Sequence, residues 1–270
     1  MSDDIMQGLL FAGFGDQPTV DDRVADTELR LCTLNINSPS PARAQRLVDW
    51  LTATRSNVLV LTEVQPGPAC NLIRTTLDAH GYLLHTTPGW RDQRFHTVVA
   101  AKGFRLDALQ PPGFDPRIAA VDLTSAGGTI RLVGVYAPTN GMTPDSSQRR
   151  HAFQQQFTAY VADILHPRLC ITGDLNVVEP GHRPHLPSFE DHDYAFYRGL
   201  LDLGLSDAYR RCHPDGADHS WVSPRFGSQR LDHALISDSS ILSSCAYDHA
   251  PRLQELTDHS SLQLTAALAS

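Results

Sequence analysis

Short apolar runs of strand length alternate along most of the chain with segments whose apolar residues recur at helical spacing. LRLCTLNI (29–36) and NVLVLTE (57–63) read as strands, and PARAQRLVDWLTA (41–53) between them places Leu47, Trp50 and Leu51 on one helical face. Further strands are expected at HTVVAA (96–101), RIAAVDL (117–123), TIRLVGVY (129–136), RLCITG (168–173), RLDHALI (230–236) and LQLTAAL (262–268), with helices over 68–79, 145–164 and 190–202. SAGGT (125–129) joins two of these strands as a hairpin. Helical crossovers beside a hairpin imply mixed sheets with helices outside them. Residues 1–29 lack a sustained period and contain the breakers Gly13, Gly15 and Pro18; they read as a loose extension before a single domain over 30–270.

Polar residues gather where the apolar runs stop. In ITGDLNVVEP (171–180) the run ends on Gly173, Asp174 and Asn176. A carboxylate and a carboxamide two residues apart point to one side of a strand, where each costs free energy to desolvate unless paired. Asn35 and Asn37 close the first strand, Glu63 the second, and Tyr136 with Asn140 follows the hairpin. Asp232 sits inside RLDHALIS (230–237), and Asp258 and His259 in LTDHSSL (256–262) precede the last strand. Singly, each has an ordinary structural explanation, since Asn and Asp favour turns and caps and a lone Glu or His is often solvated. Their recurrence at successive strand ends, where α/β sheets collect ligands, points to a site.

Composition narrows the class. With 270 residues, 41% hydrophobic and 19% charged, the chain has the proportions of an ordinary globular domain. No apolar stretch approaches the length of a membrane span, and MSDDIMQGLL has acids where a secretory signal would have bases, so a cytoplasmic location is expected. The five cysteines, 32, 70, 170, 212 and 245, form no CxxC pair and read as small buried apolar residues. Of the formal charge of −8, residues 1–30 carry −5 through seven acids against Arg23 and Arg30. The remaining −3 neither demands nor excludes a phosphate-rich substrate. Lys102 is the only lysine among 22 basic residues, a bias of compositional rather than functional weight.

The ordered series TLNIN (33–37), LTEVQ (61–65), VYAPTN (135–140), GDLNV (173–177), RLDHALIS (230–237) and TDHSS (257–261) resembles the endonuclease/exonuclease/phosphatase superfamily over residues 29–268. The nearest branch is that of exodeoxyribonuclease III and the abasic-site endonucleases, which share GDLNV and a tryptophan-containing stretch before RLD, here HSWVSPRFGSQRLDH (219–233). Two departures stand out: LTEVQ replaces the usual LQETK, and Gln229 stands where an aromatic residue of the abasic-sugar pocket is typical. The resemblance implies a four-layer α/β sandwich, with two mixed β-sheets face to face and helices on both outer faces. It also implies a metal-dependent phosphoesterase site at one edge.

What the family implies for single residues follows by position. Glu63, Asp258 and the amide of Asn35 would hold Mg²⁺, or Mn²⁺ as a substitute, the sparse oxygen set that a hard cation prefers. Asp174 would orient or deprotonate the attacking water, and Asn176 would hold that water and a phosphoryl oxygen. Asp232 would fix the tautomer of His259, whose protonated ring would donate to a non-bridging oxygen, and Tyr136 would donate to the phosphate or the leaving oxygen. Asn140, Arg117, Trp221, Arg225 and Phe226 are candidate substrate contacts, while Arg230 has a ready reading as a structural ion-pair partner. GHRPHLPSFEDHDY (181–194), with His182, His185 and His192, fits no standard ligand spacing and is expected as an irregular loop near the site mouth. The expected activity is Mg²⁺-dependent hydrolysis of DNA, with endonuclease, exonuclease and abasic-site cutting all open. The rivals are a phosphatase or phosphodiesterase on a small or lipid phosphoester, and a catalytically dead binding module.

Overall fold

The computed structural model describes residues 27–109, 115–139, 143–184, 186 and 188–268. The expected acidic extension lies outside them as far as residue 26. Two six-stranded sheets carry the chain. The first comprises β1 (Glu28–Asn35), β2 (Val58–Val64), β3 (Leu83–His85), β4 (His96–Ala101), β13 (Leu242–Asp248) and β14 (Ser261–Ala267), in the order β13-β14-β1-β2-β4-β3. The second comprises β5 (Arg105–Ala108), β6 (Ile118–Ser125), β7 (Gly128–Tyr136), β8 (Leu169–Asp174), β9 (Ser206–Asp207) and β12 (Asp232–Ile236), in the order β5-β6-β7-β8-β12-β9. A separate hairpin pairs β10 (Trp221–Ser223) with β11 (Gly227–Gln229). Both large sheets are mixed: β1–β2 and β7–β8 run parallel and the remaining pairs antiparallel.

The period of two along the strands builds the layers. Leu31, Val58, Val60 and Val99 of the first sheet meet Val121, Leu132 and Ala234 of the second in one core. Their strand neighbours Leu34, Leu59 and Leu61 turn outward to cover α1 (Pro41–Ala53) and α2 (Pro68–Ala79). On the opposite side Val133, Val135, Ile171 and Leu235 pack against α3 (Pro144–Asp163) and α4 (Asp191–Asp202). The result is the expected α/β/β/α sandwich. The sheets approach so closely at Gly134 that a Cβ there would lie 2.8 Å from the Val60 side chain. Truncating a residue of this central layer, such as Leu132, would cost about 2–5 kcal/mol through lost burial and the cavity left behind.

Helix starts follow from capping chemistry. Ser40 accepts from the Arg43 N–H with Pro41 in the first turn, and Thr143 and Ser146 form a reciprocal cap before α3. The strands absent from the sequence expectation, β3, β5, β9, β10, β11 and β13, are short or lie at sheet edges. In β13 only Cys245 and Tyr247 are buried, so no apolar run marks it. The five cysteines are free thiols, all buried except the half-buried Cys212. No helix among the described residues is long and apolar enough to cross a membrane.

Candidate active site

Strand register brings the polar strand ends together. Asp174 pairs with Tyr136 of β7 on one side and with Asp232 of β12 on the other, which sets three polar side chains in a row across the second sheet. Asn35 and Glu63 end adjacent parallel strands of the facing sheet. These two groups meet where the Asn35 Nδ2 donates to Asp174 Oδ2 at 2.8 Å and to Glu63 Oε2 at 3.1 Å. The site therefore straddles both sheets.

Local backbone shape aims these residues. Asn37, Glu63 and Asn176 all have left-handed backbone, with φ of 46°, 55° and 50°. Asparagine tolerates that region, but for Glu63 it costs about 1–2 kcal/mol. The β2–β4 register shifts between Leu61 and Val64, so Glu63 occupies a bulge that re-aims its carboxylate into the cleft. Gly173 has φ of 139°, and a Cβ there would sit 2.1 Å from the Val135 carbonyl oxygen. The glycine of the GDLN stretch is thus required by the close approach of β7, one residue before Asp174.

A cleft of about 250 Å³ opens over this array, lined by Asn35, Glu63, Asp174, Asn176, Asp258 and His259 together with Trp221, Phe226, Gln229, Leu231, Phe189 and Arg150. Asp232 lies beneath it, fully buried, its Oδ2 2.7 Å from His259 Nδ1. Burial works against a charged His259 ring, but the charge and hydrogen bond of Asp232, with Asp174 and Asp258 nearby, outweigh it and raise its pKa to about 9. The Asp174 pKa is raised as well: burial and the Asp232 charge lift its carboxyl well above the carboxylate range despite hydrogen bonds from Asn35 and the Asn176 backbone. Asp258 is exposed and accepts from Asn37 Nδ2 at 2.9 Å and from Trp221 Nε1 at 3.0 Å.

Several of the expected residues have partners within the chain. Asn35 was expected to offer its amide oxygen to a metal. That oxygen accepts the Asn37 backbone N–H at 2.9 Å, and the amide nitrogen bridges two carboxylates. The Tyr136 hydroxyl donates to Glu63 Oε2 at 3.2 Å, which orients the Glu63 carboxylate. Asn176 spends one amide N–H on the Ala137 carbonyl at 2.8 Å. Trp221 is tied to Asp258 and stacks with Phe226 at 6.4 Å, with both rings in the cleft wall. Arg225 lies 4.9 Å over Phe226, and Arg117 lies 5.9 Å over Tyr136; both flank the cleft without lining it. Asn140 and His185 lie outside the described residues. His182 and His192 are engaged with the Ser228 carbonyl and the Gln154 side chain, while Ser188 and Phe189 of the same irregular segment reach the cleft. Arg230 is buried between Glu179 and Asp207, as an ion-pair partner would be.

The sequence reading missed Phe95 and Arg150 and gave Asn37, which it placed at a strand end, no role of its own. Phe95 packs edge-on against Tyr136 at 5.6 Å, Asn37 holds Asp258, and Arg150 reaches the cleft from α3. Nothing in the local pattern marks Phe95. The Arg149–Arg150 pair on an otherwise amphipathic helix is a visible but weak signal for Arg150.

Fold and site together define a phosphoesterase-type α/β sandwich. The chain belongs to the endonuclease/exonuclease/phosphatase family, whose model matches residues 32–259. Among solved structures it is similar to a 3′ phosphatase, NExo, from Neisseria bound to a product DNA hairpin, with TM-score 0.72 and 22% identity over 87% of this chain and 98% of that one. An AP endonuclease from Archaeoglobus fulgidus gives TM-score 0.72 and 20% identity with the same coverage. The endonuclease domain of TRAS1, a telomere-specific non-LTR retrotransposon, gives 0.63 and 17% over 90% of this chain and all of that one. At these identities the likeness is one of fold. A curated relative, the Transposon TX1 uncharacterized 149 kDa protein of Xenopus laevis, is 26% identical over 248 residues, 89% of this chain; the chain spans 18% of that protein's length.

Proposed function

We propose that the chain is a Mg²⁺-dependent phosphodiester hydrolase acting on DNA. The observation that carries this reading is the charge imbalance of the cleft. Glu63, Asp174 and Asp258 line it and Asp232 lies beneath, while among the described residues His259 is the single cation within hydrogen-bond reach of that set. The unusually high pKa of Asp174 is the mark of a buried carboxylate short of positive partners. A hard divalent cation fits such an oxygen-rich set, and Glu63 and Asp258 would hold it, with Asn35 as the organiser of the carboxylates. Asp174, Asp232 and His259 also converge, offering ligand atoms within 4.8 Å of one another, but the Asp232–His259 hydrogen bond already uses two of those groups.

When bound, the ion would neutralise phosphate charge and support the leaving oxygen. The remaining chemistry belongs to the chain's own groups. Asp174, rigidly held through both oxygens, would orient and accept a proton from the attacking water. His259, charged and fixed through Nδ1, would present Nε2 to a non-bridging phosphoryl oxygen as charge builds there. Asn176 would add an amide to the same oxygen or water. Gln229 Nε2 is fixed on the Phe226 carbonyl at 3.0 Å, which gives the wall where an abasic sugar would lodge a polar face and favours intact DNA. The solved neighbours bound to DNA or named as endonucleases are consistent with that substrate.

The test is cleavage of end-labelled duplexes, one intact and one with a single abasic analogue, with Mg²⁺ or EDTA, by wild type and Asp174→Asn. The reading expects metal-dependent cutting of both duplexes, lost in the variant. Turnover of small phosphoesters with neither duplex cut would overturn it.

A further inference from the structure

Arg150 sits in the second turn of α3 and is almost wholly buried, yet it forms part of the cleft wall alongside Asn176, Phe189 and Asp174. Its guanidinium pairs with the buried carboxylate of Asp193 on α4 and lies 5.8 Å from the Phe189 ring centre. Asp193 is itself held, accepting from Gln154 Nε2 at 2.8 Å and from the Glu190 backbone at 2.9 Å. Only Nη2 is used in this way. Nε and Nη1 have no hydrogen-bond acceptor among the described residues. Arg131 and Arg210 spend more of their N–H groups: Arg131 reaches both oxygens of Asp122 and the Ile164 carbonyl, and Arg210 reaches Glu179 and three backbone carbonyls, whereas Arg230 leaves only Nη1 unpartnered. Two buried cationic donors without acceptors, on a residue of the wall of a cleft that also holds three carboxylates, lack an anion.

We propose that Arg150 forms an anion subsite in the cleft wall that receives a non-bridging oxygen of a substrate phosphate next to the scissile one. The inference rests on the nuclease reading above and deepens it. Asp193 sets the plane of the guanidinium by holding Nη2, and the remaining N–H groups would each donate singly to a phosphate oxygen. Burial lowers the arginine pKa to about 10 against the pull of Glu190, so the group stays charged at neutral pH. A polyanion entering an acidic cleft needs such a fixed positive point besides the metal, and Arg150 supplies it without a flexible surface side chain.

The test is binding of Asp174→Asn protein to a DNA series in which single phosphates are replaced by neutral methylphosphonates, with and without Arg150→Met. One methylphosphonate should weaken binding by about tenfold, the worth of a charge-assisted hydrogen bond, and should have no effect once Arg150 is methionine. The slope of affinity against salt should fall by about one in that variant. An Arg150→Met, Asp193→Leu double variant removes both halves of the buried pair and checks that misfolding is not the cause. Wild-type cleavage with independent, additive effects of Arg150→Met and every methylphosphonate would overturn this inference alone. No cleavage or binding of DNA by wild type would overturn the nuclease reading and this inference with it.

Discussion

Arg230 and Asp232 lie two residues apart, both buried, and each anchors a polar network, yet the two networks differ in charge balance. Around Arg230, the Glu179 and Asp207 carboxylates meet two guanidinium groups and the Tyr197 hydroxyl at distances of 2.5–2.8 Å. Burial alone would raise the Glu179 pKa, but hydrogen bonds and charge from Arg210 and Arg230 bring it from 4.5 down to about 2. Asp207 is likewise held below the carboxylate range, with His233 and Arg230 outweighing its burial. Around Asp232 the carboxylates outnumber their partners: Asp232 Oδ1 has no hydrogen-bond partner among the described residues, and Asp174 is driven upward. The same residue types build a closed structural network in one place and an open, ligand-seeking one in the other. Compensation, rather than burial or residue type, separates them.

Substitutions should therefore fall into two classes. Asp174→Asn, in the open network, should lower the cleavage rate by a factor on the order of 10²–10³ with the fold retained, read by single-turnover cleavage beside circular dichroism. Glu179→Gln, in the closed network, should do the reverse. Leaving buried guanidinium charge uncompensated should cost about 3–5 kcal/mol in a denaturant melt, with the rate per folded molecule little changed. A large rate loss in Glu179→Gln at normal stability would erase the distinction.

Acid should probe the closed network by itself. A depressed carboxylate pKa contributes stability that is full above the unfolded value of 4.5 and is lost as pH falls toward about 2. Melting temperature of wild type should drop across that window, and Glu179→Gln should show a shallower drop. Equal slopes would remove Glu179 as a source of acid sensitivity. The smallest effect is expected at the rim: Arg225→Ala, an exposed residue over Phe226, should weaken DNA binding a few-fold and reduce the salt slope by about one, with the cleavage rate at saturation unchanged.

Most of the architecture could be read from the chain because apolar periodicity reports burial directly. The eight strands buried on one or both faces stand out as apolar runs, and α1 and α2 match their expected bounds, where Pro41 and Pro68 mark first turns. Edge strands such as β13 escape because half their residues face water. The polar strand ends pointed to where a site would lie, and strand register then showed why Asn35, Asp174 and Asp232 meet. What the sequence could not show is direction. Whether Asn35 turns its oxygen or its nitrogen inward, whether Tyr136 faces Glu63 or the cleft, and whether Arg150 points to solvent or to the site all depend on backbone dihedrals. The bulge at Glu63 and the inter-helix pair with Asp193 settle such matters, and both depend on contacts distant in sequence.

The central claim is the proposal that the acidic cleft around Asp174 binds a divalent cation. The most direct test is the change in melting temperature with added Mg²⁺ in wild type, Glu63→Gln and Glu179→Gln. A rise in wild type and in Glu179→Gln that is absent in Glu63→Gln is the predicted result. No rise in any of the three, or an equal rise in all, would contradict the account.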